Sequence, residues 1–336
     1  MEVANKTEEF VYGSELQGRG QMNNFDSMVG LIMWIMAFTA LMLGLLNIYL
    51  IQKMPIFHNA FGWFWTSRTV GEVGSNLVHV LYSAPVTIFQ PKGIPPHLGI
   101  IAFTIGYFFA CESCVMHQVV SANRMLAVWA PLKYRFIFTK RVTKTLIFLC
   151  WLEVTIVLTL YYVVPCSIIG YSPQFYEYVF VKCSPDIGRD FSMYGTIINR
   201  SCFILCLFTM CTDVVTLIRI IYIRTVKKLA AQDKAFLRDV RFFGQTSVQN
   251  MTMMITLTMI VIVNNSRNHD GVIFYILAFD TLILTHLNNA LALIIFNPEV
   301  RKFLGLHFDF WKCKDEATTA ASHTSAKDVA SVSEKC

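Results

Sequence analysis

The sequence predicts an all-α membrane protein, a seven-transmembrane helix bundle followed by a short amphipathic C-terminal helix. Three observations carry that prediction. The 336 residues are 55% hydrophobic and only 15% charged, with a mean hydropathy of +0.50, whereas a soluble domain carries nearer a quarter charged residues. Seven segments are long and apolar enough to cross a bilayer, which takes about 20 residues. The Lys and Arg residues between them fall on alternate loops.

The spans run over residues 28–52, 68–89, 97–125, 144–165, 192–221, 243–264 and 272–296. Residues 1–27 precede them as a polar, mildly acidic tail without the basic start and short apolar core of a secretory signal, so span one is expected to act as its own membrane signal. Span two is the weakest, with Glu72, Asn76 and His79 among glycines. It is required by the charge pattern. The loops after spans one, three and five hold Lys53, then Lys133, Arg135, Lys140, Arg141 and Lys144, then Arg224, Lys227, Lys228, Lys234, Arg238 and Arg241. The alternate loops hold only Lys92, Lys182, Arg189 and Arg267. Because cytoplasmic loops carry the Lys/Arg excess, the N-terminus is expected outside and the C-terminus inside. The net charge of +6 is thus an orientation signal, and no nucleic-acid partner follows from it.

Past the last span, residues 297–312 read as an interfacial helix, with Phe303, Leu304, Leu306, Phe308, Phe310 and Trp311 among basic residues. Cys313 beside it is a candidate for palmitoylation. Residues 313–336, rich in Ser, Thr and Ala, read as a disordered cytoplasmic tail. Asn5, in Asn5-Lys-Thr7, is a glycosylation acceptor in the outer tail. Of ten cysteines, Cys166 and Cys183 belong to the second outer segment. In an oxidising compartment a bridge between them is one reading and two separate thiols the other.

Span three ends Ser121-Ala-Asn-Arg-Met-Leu-Ala-Val-Trp-Ala-Pro-Leu-Lys-Tyr134. Taken alone, Arg124 is explained equally by snorkelling toward the cytoplasm. The whole string resembles the rhodopsin-like G-protein-coupled receptors, in which Asp/Glu-Arg-Tyr is followed by Pro-Leu-Lys-Tyr. Arg124, Pro131, Leu132, Lys133 and Tyr134 keep their places, while Asn123 replaces the acid and Met125 the aromatic. Gly44-Leu-Leu-Asn47 is similar to the Gly-Asn pair of span one, and Asn297-Pro-Glu-Val-Arg301 to the start of the family's short last helix. Asn76 and Pro85 resemble the spacing of the span-two acid and a later proline. With Arg241-Phe-Phe-Gly-Gln-Thr-Ser-Val-Gln249 entering span six, the set resembles the nematode serpentine chemoreceptors, class X being the nearest, over residues 28–305.

That resemblance implies a receptor for small environmental or pheromone molecules in the plasma membrane of sensory-neuron cilia. It places G-protein coupling on Arg124, Pro131, Leu132, Lys133, Tyr134, Arg238 and Arg241, and switch roles on Asn47, Asn76, Asn123 and Asn289. The departures matter. Asn123 cannot form the acid–arginine ion pair, so a different restraint on Arg124 is expected. With Asn76 in place of the acid, the intramembrane sodium site is in doubt. Span seven has Ala290 and Leu293 where Pro and Tyr are usual, and span six lacks Cys-Trp-x-Pro.

Ionisable side chains inside a membrane are expensive and mark function. The candidates are Glu72, His79, Glu112, His117, Glu153, Arg200, Asp213, Asp280 and His286. By depth, the ligand candidates are His79, Tyr82, Tyr107, Cys111, Asn199, Arg200, Tyr275 and Asp280, whereas Asp213 reads as packing in the inner half. His79 and Tyr82, three apart, are expected on one helix face. Arg200 either faces the bundle and pairs with an acidic ligand, or snorkels outward beside Asp190. Other functions find less support: no polar stripe runs the length of a span, as a channel needs, and no internal repeat suggests a transporter. A receptor for a peptide or another endogenous ligand is the nearer alternative. No metal-spaced cluster or nucleophile constellation points to an enzyme or a cofactor. The expected partners are a small ligand, a heterotrimeric G protein and the bilayer; dimerisation stays open.

Overall fold

The computed structural model describes residues 10–226, 234–265 and 272–305. Its long helices, in order, are α1 (Asn24–Lys53), α2 (Ala60–Val78), α4 (Pro96–Trp129), α6 (Lys140–Val163), α7 (Met193–Val226), α8 (Lys234–Asn265) and α9 (Val272–Phe296). Shorter ones are α3 (Ala84–Phe89), which continues α2 through a π-helical turn at His79–Ser83, α5 (Pro131–Ile137) and α10 (Pro298–Phe303). The spans of the sequence are therefore α1, α2 with α3, α4, α6, α7, α8 and α9. Five of these, α1, α4, α6, α7 and α9, are long and apolar enough to cross a membrane by composition alone.

Span two starts at Ala60, not at residue 68. Asn59 ends the preceding loop by accepting a hydrogen bond from the Gly62 amide at 3.1 Å, and the charges of Arg68 and Glu72, which mask the apolar signal, pair with each other inside the helix. Span six likewise outlasts its apolar stretch: α8 begins at Lys234, while its apolar part is Ser247–Ile262. Helical hydrogen bonds need no apolar side chains, so hydropathy marks only the stretch suited to lipid.

α4 runs through the centre and packs on α2, α6 and α7, while α1 packs on α2, α3 and α9, α8 bridging α7 and α9. Gly71 permits the α2–α4 approach, since a Cβ there would meet the Phe109 carbonyl oxygen at 2.7 Å and the Ser113 nitrogen at 2.9 Å. Outward faces carry large apolar side chains, such as Leu31 and Ile35 on α1, Phe148 and Ile156 on α6, and Ile204 and Phe208 on α7. The backbone polar groups are satisfied within each helix, which is the condition for crossing a bilayer.

At the N-terminal end of α1 lies an antiparallel hairpin, β1 (Ile169–Ser172) with β2 (Glu177–Phe180), in the register Ile169↔Phe180 to Ser172↔Glu177. Cys166 and Cys183 flank it and form a disulfide, with Cα atoms 5.5 Å apart. Residues 10–23 are not a loose tail but a strap over this end. The Gly20 amide donates to the Gln90 carbonyl at 2.7 Å and the Ser172 hydroxyl donates to the Glu15 carbonyl at 2.6 Å. Asp26, fully buried in the first turn of α1, gathers Arg19 at 2.6 Å, the Tyr176 hydroxyl at 2.5 Å and Gln90 at 3.3 Å. It also closes a capping box with Asn23.

Residues from Asn297 form a second compact unit. Its described part is α10, capped by the Asn297 side chain, which accepts from the Glu299 amide at 3.0 Å, and ended by Gly305 in the left-handed region. Asn5, Cys313 and residues 306–312 of the expected interfacial helix lie outside the described residues.

Candidate functional site

The hairpin lowers two tyrosines between the helices. Tyr171 is fully buried, its hydroxyl 2.5 Å from that of Thr87. The Tyr178 ring sits 5.0 Å from Phe103, 5.2 Å from Phe279 and 5.8 Å from Tyr171, centroid to centroid. Its hydroxyl lies 2.9 Å from where a side chain on Gly106 would begin, and has no hydrogen-bond partner among the described residues. Burial pushes both phenols up from their ordinary value, and pushes the Glu177 carboxyl beside them up to about 8.

Two aromatic clusters meet at Tyr178. On one side His79 lies 5.1 Å from the Phe279 ring and Tyr82 lies 6.3 Å from Tyr171. The π-helical turn alters the α-helical spacing that put His79 and Tyr82 on one face: His79 turns to Phe279, between the hydroxyls of Ser75 and Ser83, each 3.4 Å away. On the other side Tyr107 stacks on Phe103 at 5.0 Å and donates its hydroxyl to Asn199 at 3.2 Å. Cys111 is buried one turn further along α4. Tyr275 faces Phe175, in the hairpin turn, at 6.5 Å. Asp280 is half-buried, and its Oδ1 has no hydrogen-bond partner among the described residues.

Arg200 does not join them. It is exposed on α7 with Ile197, Ser201 and Ile204, whereas the buried face of that helix carries Cys206, Thr209 and Asp213. Asp190, its expected outward neighbour, pairs with Lys182 at 2.6 Å. The bundle-facing reading of Arg200 is therefore corrected to an outward-facing one.

Deeper in, the chemistry changes from rings to charges. Arg68 Nε lies 3.1 Å from Glu72 Oε1, both side chains buried. Arg68 Nη1 donates to Gln249 Oε1 on α8 at 3.0 Å, and Asn289 on α9 donates to Glu72 Oε1 at 2.7 Å. Ser113 on α4 approaches the same carboxylate oxygen at 3.5 Å. Asn47 donates to the Ala290 carbonyl at 3.0 Å. Asn76 was expected to stand in for the span-two acid; among the described residues its amide hydrogen-bonds its own helix, at the Glu72 carbonyl, 2.8 Å away. Glu72 is the acid at this junction.

Toward the end bearing Arg124, a second node joins α4, α7 and α8. Ser121 donates to Asp213 at 2.6 Å, Asn250 donates to the same carboxylate, and His117 bonds Asn250. Arg124 lies with its guanidinium carbon 4.9 Å from the Phe61 ring centroid and within electrostatic reach of Asp213. Among the described residues the Asn123 amide meets the Tyr134 hydroxyl of α5 at 3.2 Å. Around Tyr134, Leu132 is 85% and Phe136 83% exposed, and Pro131 opens α5 while Lys133 points outward. Arg238 and Arg241 lie on α8.

A sequence model described as "Serpentine type 7TM GPCR chemoreceptor Srx" matches residues 34–297. The chain belongs to that serpentine chemoreceptor family. Serpentine receptor class X 45 of Caenorhabditis elegans is 27% identical over 129 residues, 38% of this chain and 36% of that relative. The matched stretch thus spans about a third of the curated relative's length. The receptor is a multi-pass membrane protein of a chemosensory class, and its family is one of receptors, not of enzymes.

Arg68, Gln249, Ser113, Tyr171 and Tyr178 were not singled out from sequence. A signal existed for Arg68: it stands four residues before Glu72, the spacing of an ion pair along one helix, inside a span where charges are costly. For Tyr171 and Tyr178 there was none, since a loop tyrosine carries no mark of being folded inward.

Proposed function

We propose that this receptor binds a small external molecule, an odorant or pheromone, in the aromatic cradle under the hairpin, and passes the signal to a heterotrimeric G protein at the Arg124 end. The observation that carries the reading is the convergence at Tyr178. His79 and Tyr82 from one side and Tyr107 with Asn199 from the other meet around a hairpin side chain. A largely apolar, aromatic lining with a few polar groups suits a small molecule. The strap and disulfide-pinned hairpin over this end favour a small ligand over a peptide. The basic loops at the opposite end support an N-terminus outside and a plasma-membrane location.

In this reading a ligand stabilises one of two bundle arrangements by its differential affinity for them. The exposed Leu132, Lys133 and Phe136 of α5 then meet the G protein together with Arg124 and the Arg238 and Arg241 positions of α8. The test is a cell line expressing the receptor with a G-protein reporter, challenged with a library of small volatile and water-soluble compounds, alongside Arg124→Ala. A compound-evoked signal is expected in the parent and lost in Arg124→Ala at equal surface expression. An evoked current that persists without any G protein would overturn the coupling; an epitope at the N-terminus unreachable on intact cells would overturn the orientation.

A further inference from the structure

The junction of Arg68, Glu72, Gln249 and Asn289 shares no residue with the aromatic cradle or with the Arg124 surface. Its geometry is specific. Arg68 presents two different edges of one guanidinium: Nε faces Glu72 within α2, at 3.1 Å, and Nη1 donates to Gln249 on α8, at 3.0 Å. Glu72 holds the other side, accepting from Asn289 on α9 at 2.7 Å. Gln249 in turn donates to the Asn289 main-chain carbonyl at 3.3 Å. The four residues form a ring across three spans, closed through the Asn289 main chain, and all are buried. The guanidinium carbon also lies 5.2 Å from the Trp65 ring centroid, which fixes its plane.

A guanidinium is always charged and offers its donors in a rigid fork. In the bundle interior, moving α8 away from α2 takes the Gln249 acceptor from a buried, charged donor, so the separation has a discrete cost. We infer that Arg68 is a built-in counter-ion that clamps α8 and α9 onto α2, and that breaking its bond to Gln249 is a step in opening the bundle. The clamp itself follows from the contacts alone; its link to signalling rests on the G-protein reading above.

The experiment uses the full-length receptor in two readouts, hydrogen exchange of α8 over residues 247–262 in lipid nanodiscs and basal G-protein activation in cells. Gln249→Leu removes the link to α8 while leaving the Arg68–Glu72 pair intact. Faster exchange in α8 and several-fold higher basal signalling are expected. Arg68→Lys keeps the charge, but a single ammonium cannot face Glu72 and Gln249 along two edges, so it is expected to fall between Gln249→Leu and the parent. If Gln249→Leu does not fold, the double neutral change Arg68→Gln with Glu72→Gln, which leaves no buried charge unpaired, takes its place with the same expectation. Parent-like exchange in a folded variant would overturn the clamp. Faster exchange without any G-protein signal, in the parent or the variant, would keep the clamp and remove the coupling.

Discussion

Around Tyr178 the bundle is held by rings in edge and stacked contact, and around Glu72 by charges and aligned hydrogen bonds. The ring half places Phe103, Tyr171 and Phe279, from three further elements, 5.0–5.8 Å from the Tyr178 ring. Ring contacts of that kind are broad in geometry and individually worth about 0.5–1.5 kcal/mol, so such a lining can shift to receive differently shaped molecules. The charged half has few alternatives. An Arg68 that leaves Gln249, or an Asn289 that leaves Glu72, strands a buried polar group, and such an arrangement is two-valued instead of graded. In the function proposed above, recognition falls to the half that can adapt and switching to the half that cannot.

Breaking that contrast starts with its most costly member. Glu72→Ala leaves Arg68 buried without its carboxylate, and loses about 3–5 kcal/mol of stability; thermal melting of the purified receptor should fall steeply, with little mature receptor at the cell surface. A modest fall would mean that water or an ion reaches Arg68, and the sharp division between halves would go. Replacing Cys166 and Cys183 together by Ala frees a hairpin closed by a 17-residue separation. A closure of that size is worth about 3 kcal/mol, and the loss should be confined to protease resistance and exchange in residues 166–183, leaving α8 unchanged.

Tyr178→Phe sharpens the comparison from the other side. It deletes a buried hydroxyl without a partner, so stability should rise by about 1 kcal/mol, in a melting experiment without ligand. A drop would show that the hydroxyl has a partner in the membrane-embedded receptor. The pH dependence of the hairpin is a smaller effect. Burial raises Glu177 to about 8 from an ordinary 4.5, so the folded receptor holds a proton that the unfolded chain releases between those values. Stability of the hairpin end should therefore decline as pH rises from about 5 toward 8 and level off above, and Glu177→Gln should flatten the profile. Arg200→Ala should do least. An outward-facing side chain changes stability by no more than about 0.5 kcal/mol, and the response to any active compound should keep its potency; a large loss of potency would return Arg200 to the ligand site.

Much of the fold was legible because the bilayer imposes simple rules. Five spans announced themselves by length and lack of charge, and α9 coincides with residues 272–296 as read. Span two did not, because hydropathy counts Arg68 and Glu72 as separate penalties and cannot see that they cancel. The candidate site was legible in composition but not in arrangement. His79, Tyr82, Tyr107 and Asn199 were found by depth and polarity, yet what brings them together is a loop residue, Tyr178, whose direction depends on a hairpin closed by long-range contacts. Asn76 and Glu72 stand four residues apart on one helix, and spacing along the chain does not show that Glu72 is the one that reaches Asn289 on α9.

The sequence by itself determined the class of molecule, its seven crossings, the charge asymmetry of its loops and the absence of an acid before Arg124, since each depends only on local composition or spacing. Tertiary structure alone decided which groups answer which. It set Glu72 against Arg68, Asn289 and, through Arg68, Gln249; it turned Asn123 to Tyr134 and brought Arg124 near Asp213. Those partners lie up to 217 residues apart in the chain, and a buried charge takes its partner from whatever the packed helices bring within reach, not from its neighbours in sequence.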